Sequence, residues 1–227
     1  MWCRRMANER QPWSAALFYL LFATACATAP SRLVVSADLI AAAQRGDALA
    51  TSDALEALIE RGADAPGDRE YAYSIVSQQA ADTAAGAFAR AAVTGRLVQQ
   101  RGLRGASLIG EVETYALRSR SLDPGFRGGA ATRMLGTLYV IAPGAFLAHG
   151  DSERGIELLE EIVNEHPEVV ENQLRLAEAY IALGDPDPAG LPLCVCLAHR
   201  DALRRDDQQL LDQLVGTTGK PDCADPG

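Results

Sequence analysis

Apolar residues recur every three or four positions through most of the chain, which is the spacing of one face of an α-helix. In residues 153–164, for example, Ile156, Leu159 and Ile162 share one face, and glutamates occupy the other. Residues 200–215 show the same arrangement, with a leucine stripe opposite arginines and aspartates. The alternation typical of β-strands is missing from the sequence, and Gly and Pro separate the periodic segments. The pattern predicts an all-α protein.

The predicted helices form pairs with a repeating internal spacing. A tetratricopeptide unit is a helix pair of about 34 residues with small side chains where the helices cross. Residues 170–203 fit this spacing. Its first helix carries Leu176-Ala177 and Tyr180, and its second helix carries Ala189, Leu193 and Cys196 in register. Cys196 therefore takes the place of the usual small residue at a helix crossing.

The preceding unit matches the same spacing in two halves, separated by a seven-residue insertion around residues 142–146. The matching residues are Leu135-Gly136, Tyr139, Gly155, Leu159, Ile162 and Pro167. We therefore predict an α-solenoid of tetratricopeptide-like helical hairpins over residues 37–215, closed by a C-terminal capping helix. Residues 216–227 are expected to form a flexible tail. Asp68 is expected to cap the N-terminus of a helix that continues to Ala80.

The first 25 residues are typical of a signal peptide. Arg4 and Arg5 precede an uncharged run at residues 13–25, which is shorter than the roughly 20 residues of a membrane-spanning helix. The run ends in Phe22-Ala23-Thr24-Ala25-Cys26, which resembles a bacterial lipobox. Two outcomes are open, namely lipidation of Cys26 or simple secretion, and we favour lipidation. Residues 26–36 are then a lipid-anchored linker, and the protein is expected on the periplasmic side of the envelope, with the outer membrane favoured.

The mature part of the chain is acidic. The full sequence has 21 basic and 30 acidic side chains, and removal of residues 1–25 leaves 18 and 29, a net charge near −11. Such a surface repels phosphate backbones and anionic lipid headgroups. This charge argues against nucleic-acid binding and against attachment to a membrane by electrostatics alone.

Three cysteines, Cys194, Cys196 and Cys223, remain after processing and lipidation. An oxidising compartment favours a disulfide from Cys223 to one of the other two. We prefer Cys194, because Cys196 occupies a helix crossing. A zinc site from these cysteines and His199 is the alternative, but the C-x-C spacing is not that of a zinc knuckle. We predict neither a metal nor a cofactor.

The concave face of the solenoid is the predicted binding surface, because the first helices of stacked pairs line it. The spacing places these groove candidates there: Arg133, Thr137, Val140, Glu171, Leu174, Glu178 and Ile181. The alternative is that Arg133 and Glu178 only pair with each other or solvate the surface. The sequence lacks the H-E-x-x-H, G-x-S-x-G and dinucleotide patterns. We therefore predict a binding protein and not an enzyme.

Residues 122–197 resemble the TatT component family, lipoproteins associated with TRAP transporters. The resemblance lies in these residues: Leu122-Asp123-Pro124-Gly125-Phe126, Gly128-Gly129, Arg133, Leu135-Gly136, Tyr139, Pro143, Gly150-Asp151, Gly155 to Val163, Pro167, Asn172, Leu174, Leu176-Ala177-Glu178 and Tyr180. It implies a periplasmic helical-repeat lipoprotein that partners the solute-binding protein of the transporter. It also implies trimeric assembly and a ligand passage. The alternative function is a general tetratricopeptide lipoprotein scaffold for assembling envelope proteins.

Overall fold

The computed structural model describes residues 33–223, which fold into ten α-helices joined by turns and short 3-10 helices, with no strand in that range. The α-helices are α1 (Ala37–Ala43), α2 (Ala48–Glu60), α3 (Asp68–Val76), α4 (Ala84–Arg101), α5 (Ile109–Leu122), α6 (Ala130–Ile141), α7 (Ser152–Glu165), α8 (Val170–Ala182), α9 (Gly190–Ala198) and α10 (Arg205–Thr218). The predicted all-α class is confirmed. The predicted signal peptide, Cys26 and most of the linker lie outside the described residues.

Consecutive helices pack as hairpins, as the repeat spacing predicts. Helix α4 packs against α5, α6 against α7, and α8 against α9. Neighbouring pairs are joined through α2 with α4 and through α6 with α8, while α10 packs on α8 and α9. The fold is therefore a helical-repeat array closed by a capping helix.

The last repeat and the capping helix share one apolar core. The core contains Leu174 from α8, Leu193 and Cys196 from α9, and Leu211 from α10, all essentially inaccessible to solvent. Ala189, the small residue expected at the start of the second helix, is also fully buried. Burial of these side chains supplies the main stabilisation of this end of the array.

Asp68 differs from its expected role as an N-cap. It is the first residue of α3, which begins after Gly67 and ends at Val76, short of Ala80. Its buried carboxylate accepts hydrogen bonds from the Ser36 amide at 2.7 Å, the Ser36 hydroxyl at 2.6 Å and the Ala65 amide at 2.7 Å. A buried carboxylate must be hydrogen-bonded to be tolerated. Asp68 therefore fastens the segment before α1 to the start of α3.

The insertion between α6 and α7 is held by a second buried carboxylate. Glu113 of α5 is 1% exposed and accepts the amides of Ala148 and His149, each at 2.8 Å. Burial, together with the nearby Glu113 carboxylate, raises the pKa of Tyr139 to about 12. Helix α7 then starts at the Asp151 cap, which accepts the Arg154 amide at 2.9 Å.

The C-terminal segment is more ordered than the sequence predicts. Helix α10 continues to Thr218, three residues beyond the predicted end of the repeat domain at residue 215. A disulfide then joins Cys223 to Cys194 of α9. Within residues 33–223, no helix combines the length and the apolar character needed to cross a membrane.

Candidate functional site

Arg133 is the central side chain of the candidate groove. It lies on α6, and its Nη1 donates a 2.6 Å hydrogen bond to Oδ1 of Asn172 on α8. The Asn172 amide nitrogen in turn donates to the carbonyl oxygens of Gly128 at 3.3 Å and His166 at 3.4 Å. These two bonds orient the Asn172 side-chain amide, because its nitrogen must face the two carbonyl oxygens. Its oxygen therefore faces Arg133 and accepts the hydrogen bond from it. The guanidinium is therefore held in one position between α6 and α8.

Arg133 differs from the other arginines that are not exposed. Each of those has a carboxylate within 4.0 Å in the described part of the chain, and Arg133 has none there. The strongest acidic influence on it comes from Glu171, which lies beyond ion-pair distance. Burial lowers the pKa of Arg133, and the attraction of Glu171 and Asp207 does not offset it. Arg133 is half-buried, and the bond from Nη1 to Asn172 is the one hydrogen bond that its guanidinium makes in residues 33–223.

Arg175, one turn from Asn172 on the same helix, differs from Arg133 because it is paired with carboxylates. It donates to Glu178 at 2.9 Å and to the carboxylate of Asp207 at the start of α10. Burial acts to lower the pKa of Arg175, but the charges of Asp207 and Glu178 outweigh it and raise that pKa. Glu178, a predicted groove residue, is thus engaged by Arg175, and not by Arg133 as the alternative interpretation supposed.

The start of the capping helix is tied back to the first helices of the array. Glu56 of α2 binds Arg96 of α4 at 2.6 Å and Arg204 at 2.7 Å. Arg96 also binds Asp206 of α10 at 2.9 Å. Although burial alone would raise the pKa of Glu56, the two arginines lower it below its ordinary value of 4.5. These pairs join α2, α4 and α10 across more than a hundred residues of sequence.

The other acidic side chains of α2 are also engaged. Asp53 receives a bidentate ion pair from Arg127, at 2.8 and 2.7 Å, in the turn between α5 and α6. Glu60 accepts the backbone amide of Arg205 at 2.9 Å. Every carboxylate of α2 is therefore paired. Near the groove, Arg133 has no ion pair in residues 33–223, and neither does the Glu171 carboxylate that attracts it.

The apolar groove candidates lie deeper than predicted. Leu174 is fully buried in the core beneath α10, because the capping helix packs on the side of α8 that the spacing assigned to the groove. Ile181 packs against the same core, and Val140 packs between α7 and α8. Thr137 is half-buried and donates its hydroxyl hydrogen to the Arg133 carbonyl oxygen at 2.9 Å within α6.

Sequence reasoning missed the residues that position and surround Arg133. These are Asn172, Arg175, Arg204 and Asp207. Asn172 and Arg175 lie on α8 next to predicted groove residues, so helical spacing alone could have suggested them. Nothing in the sequence pattern indicates that residues 204–207 meet α2 and α4.

The cysteines divide into a disulfide and a buried thiol. Cys194 and Cys223 are joined, which is one of the two pairings that the sequence left open. Cys196 is fully buried against the Val170 carbonyl oxygen, and burial raises its pKa to about 12. Two of the four ligands of the alternative zinc site are therefore occupied by the disulfide, and residues 33–223 contain no group of three metal-binding side chains.

Comparison with known protein families gives one match. The tetratricopeptide repeat family matches residues 146–190, which covers α7, α8 and the first residue of α9. This match includes most of the repeat spacing read from the sequence. No curated protein sequence is similar enough to the chain to count as a relative. Tetratricopeptide repeats are typically non-enzymatic scaffolds that bind other proteins, which suggests the same general role for this chain.

Proposed function

We propose that this protein is a lipid-anchored envelope scaffold whose repeat groove binds a carboxylate of a partner protein through Arg133. The finer assignment is an accessory component of a TRAP-type solute transporter, with the periplasmic solute-binding protein as the partner. This assignment rests on the TatT resemblance of residues 122–197. The match to tetratricopeptide repeats supports the scaffold role, and the resemblance supports the transporter.

The observation that carries the binding proposal is the unpaired guanidinium. A half-buried arginine with one neutral partner leaves most of its five N–H donors free, and guanidinium fits a carboxylate through two parallel hydrogen bonds. Binding an anion there would offset the burial cost that lowers the pKa of Arg133. The fixed position of the side chain reduces the entropy lost on binding.

The test is the affinity of the mature protein for the periplasmic solute-binding protein of a TRAP transporter from the same organism, measured by calorimetry. Arg133→Gln should weaken binding by roughly 10- to 150-fold, because a hydrogen bond to a charged group is worth about 1.5–3 kcal/mol. Arg118→Gln is the matched control, since Arg118 is an exposed arginine of α5 with no carboxylate within 4.0 Å in residues 33–223. Equal affinities for the two variants would refute the role of Arg133.

The general envelope scaffold is the second candidate, and the same experiment separates the two. If no TRAP component binds but another envelope protein does, and if that binding also depends on Arg133, the scaffold role stands and the transporter role falls. Trimeric assembly, implied by the resemblance, is tested by sedimentation equilibrium of the mature protein.

The lipid anchor is proposed from the lipobox-like residues 22–26. Wild-type cells should incorporate palmitate into the protein, and Cys26→Ala should abolish the label and release the protein from membranes. An unlabelled wild-type protein would contradict the anchor and leave the groove proposal intact.

A further inference from the structure

Three exposed apolar side chains lie at the start of the described chain and just after α4. Leu103 is 96% exposed, the most exposed large hydrophobic side chain in residues 33–223, and it lies two residues beyond the end of α4. Leu33 is 55% exposed and Val34 is 68% exposed. A single exposed apolar side chain is common on a protein surface, but several that lie together mark a contact site.

Hydrogen bonds hold these side chains in one region. The Gly67 amide donates to the Val34 carbonyl oxygen at 3.0 Å. Gln100, near the end of α4, donates its side-chain amide to the Pro66 carbonyl oxygen at 3.0 Å. Leu33 also lines one surface depression together with Arg101 and Arg104. The end of α4 and the start of the described chain therefore share one surface, which we call the Leu103 patch and define as Leu33, Val34, Leu103 and Arg104.

The charge of the patch is opposite to that of the molecule. Arg104 is exposed and has no carboxylate within 4.0 Å among residues 33–223, while the neighbouring Arg101 is paired with Glu70 at 2.5 Å. The patch is therefore locally cationic on a mature chain of net charge near −11. Exposed leucines beside an unpaired arginine are typical of segments that lie at a lipid–water interface, where the cation meets lipid phosphates.

The anchor brings this patch to a membrane. Seven residue steps separate Cys26 from Leu33, and a fully extended chain spans at most about 3.5 Å per residue, so Leu33 stays within about 25 Å of a lipidated Cys26. Such a short tether raises the effective concentration of the bilayer at the patch, and a weak interaction is then sufficient.

We propose that the Leu103 patch lies on the bilayer to which Cys26 is attached, and that it gives the repeat domain a fixed orientation on the membrane. Leu103 enters the interfacial region, and Arg104 contacts lipid phosphates. This inference rests on the lipid-anchor part of the proposed function and does not involve the groove.

The sequence offers a clean reporter for the test. Its two tryptophans, Trp2 and Trp13, fall within the predicted signal peptide, so the mature chain contains none. Leu103→Trp therefore places a single tryptophan in the patch. Leu191→Trp is the matched control, because Leu191 is 64% exposed on α9, outside the patch.

The mature chain is coupled through Cys26 to a maleimide-headgroup lipid in phosphatidylcholine vesicles. Cys194 and Cys223 are joined and Cys196 is buried, so Cys26 is the thiol that reacts. Because the tether is chemical, the result does not depend on natural lipidation, which the palmitate experiment tests separately. Circular dichroism melts establish that both reporters fold like wild type.

On coupling, the Leu103→Trp emission should shift to shorter wavelength and be quenched by brominated lipid chains, while the Leu191→Trp emission should do neither. Adding Arg104→Glu to the Leu103→Trp variant should reduce the quenching. An unquenched Leu103→Trp reporter would overturn the proposal. Equal quenching of both reporters would overturn it too, because it would show that the domain has no preferred orientation.

Discussion

Gly136 of α6 and Gly155 of α7 cross in direct backbone contact. A Cβ atom added to Gly155 would lie 2.9 Å from the Gly136 carbonyl oxygen, and one added to Gly136 would lie 2.9 Å from the Gly155 carbonyl oxygen. The Val140 side chain would be closer still, at 2.8 Å from the new Gly155 atom. The two helices pack this closely because neither has a side chain at the crossing.

This contact predicts a marked cost for enlarging Gly155. Gly155→Leu should lower the free energy of unfolding by about 1–3 kcal/mol or more, which is the usual cost of overpacking. Thermal melting measures this loss. Glu157→Leu on the exposed side of α7 should change it by about 0.5 kcal/mol or less. Equal melting temperatures would show that the assigned repeat register is wrong.

A second control separates packing from helix propensity. Gly216 lies in the last turn of α10, and an added Cβ would meet nothing within 4 Å there. Gly216→Ala should therefore stabilise the protein by roughly 0.5–1 kcal/mol, because Ala is the better helix former. Gly155→Ala should destabilise it. If both substitutions change the melting temperature in the same direction, the Gly136–Gly155 contact is not as close as described.

The crossing also shows why much of the fold could be predicted. Closely packed helix pairs need small residues at fixed positions, and the sequence has them at Gly136, Gly155 and Ala189. These positions can be recognised because they lie close together in the sequence. The Arg133 environment could not be predicted in the same way. The helical spacing places Arg133 on the first helix, but its partner Asn172 is 39 residues away, and the hydrogen bond from the Arg205 amide to Glu60 joins residues 145 apart. Leu174 was misplaced for the same reason, because only the packing of α10 decides which side of α8 is covered.

Glu56 predicts a pH dependence of stability. Its folded-state pKa is lowered below 4.5 by Arg96 and Arg204, so its contribution is present above about pH 4.5 and is lost as pH falls through the folded-state pKa. Glu56→Gln should therefore lower the melting temperature at pH 7, and the difference from wild type should shrink below pH 4.5. A difference that is the same at pH 7 and pH 3 would contradict the pairing.

The disulfide predicts a contribution of the C-terminal segment to stability. Cys194 and Cys223 are 29 residues apart, and closing a loop of that length stabilises by about 3.6 kcal/mol in the chain-entropy model. Cys223→Ser should lower the melting temperature and expose one reactive thiol, that of Cys194, in the described residues. Mass spectrometry of unreduced, alkylated wild-type protein that found Cys194 and Cys223 both alkylated would contradict the pairing.

The central claim is that the groove holds a guanidinium without a carboxylate of its own, and paired melting experiments on Arg133→Met and Arg175→Met test it most directly. Arg175→Met removes the partner of Asp207 and Glu178 and should cost about 3–5 kcal/mol, the usual result of leaving one half of a buried ion pair. Arg133→Met removes a charge that burial disfavours and leaves only the neutral Asn172 without its partner. Because Asn172 is fully buried, leaving its amide oxygen without a donor should cost about 1–3 kcal/mol. We therefore predict that Arg133→Met lowers the free energy of unfolding by less than Arg175→Met does. A loss of stability as large as that of Arg175→Met would show that Arg133 is already paired inside the protein and is not kept for a ligand.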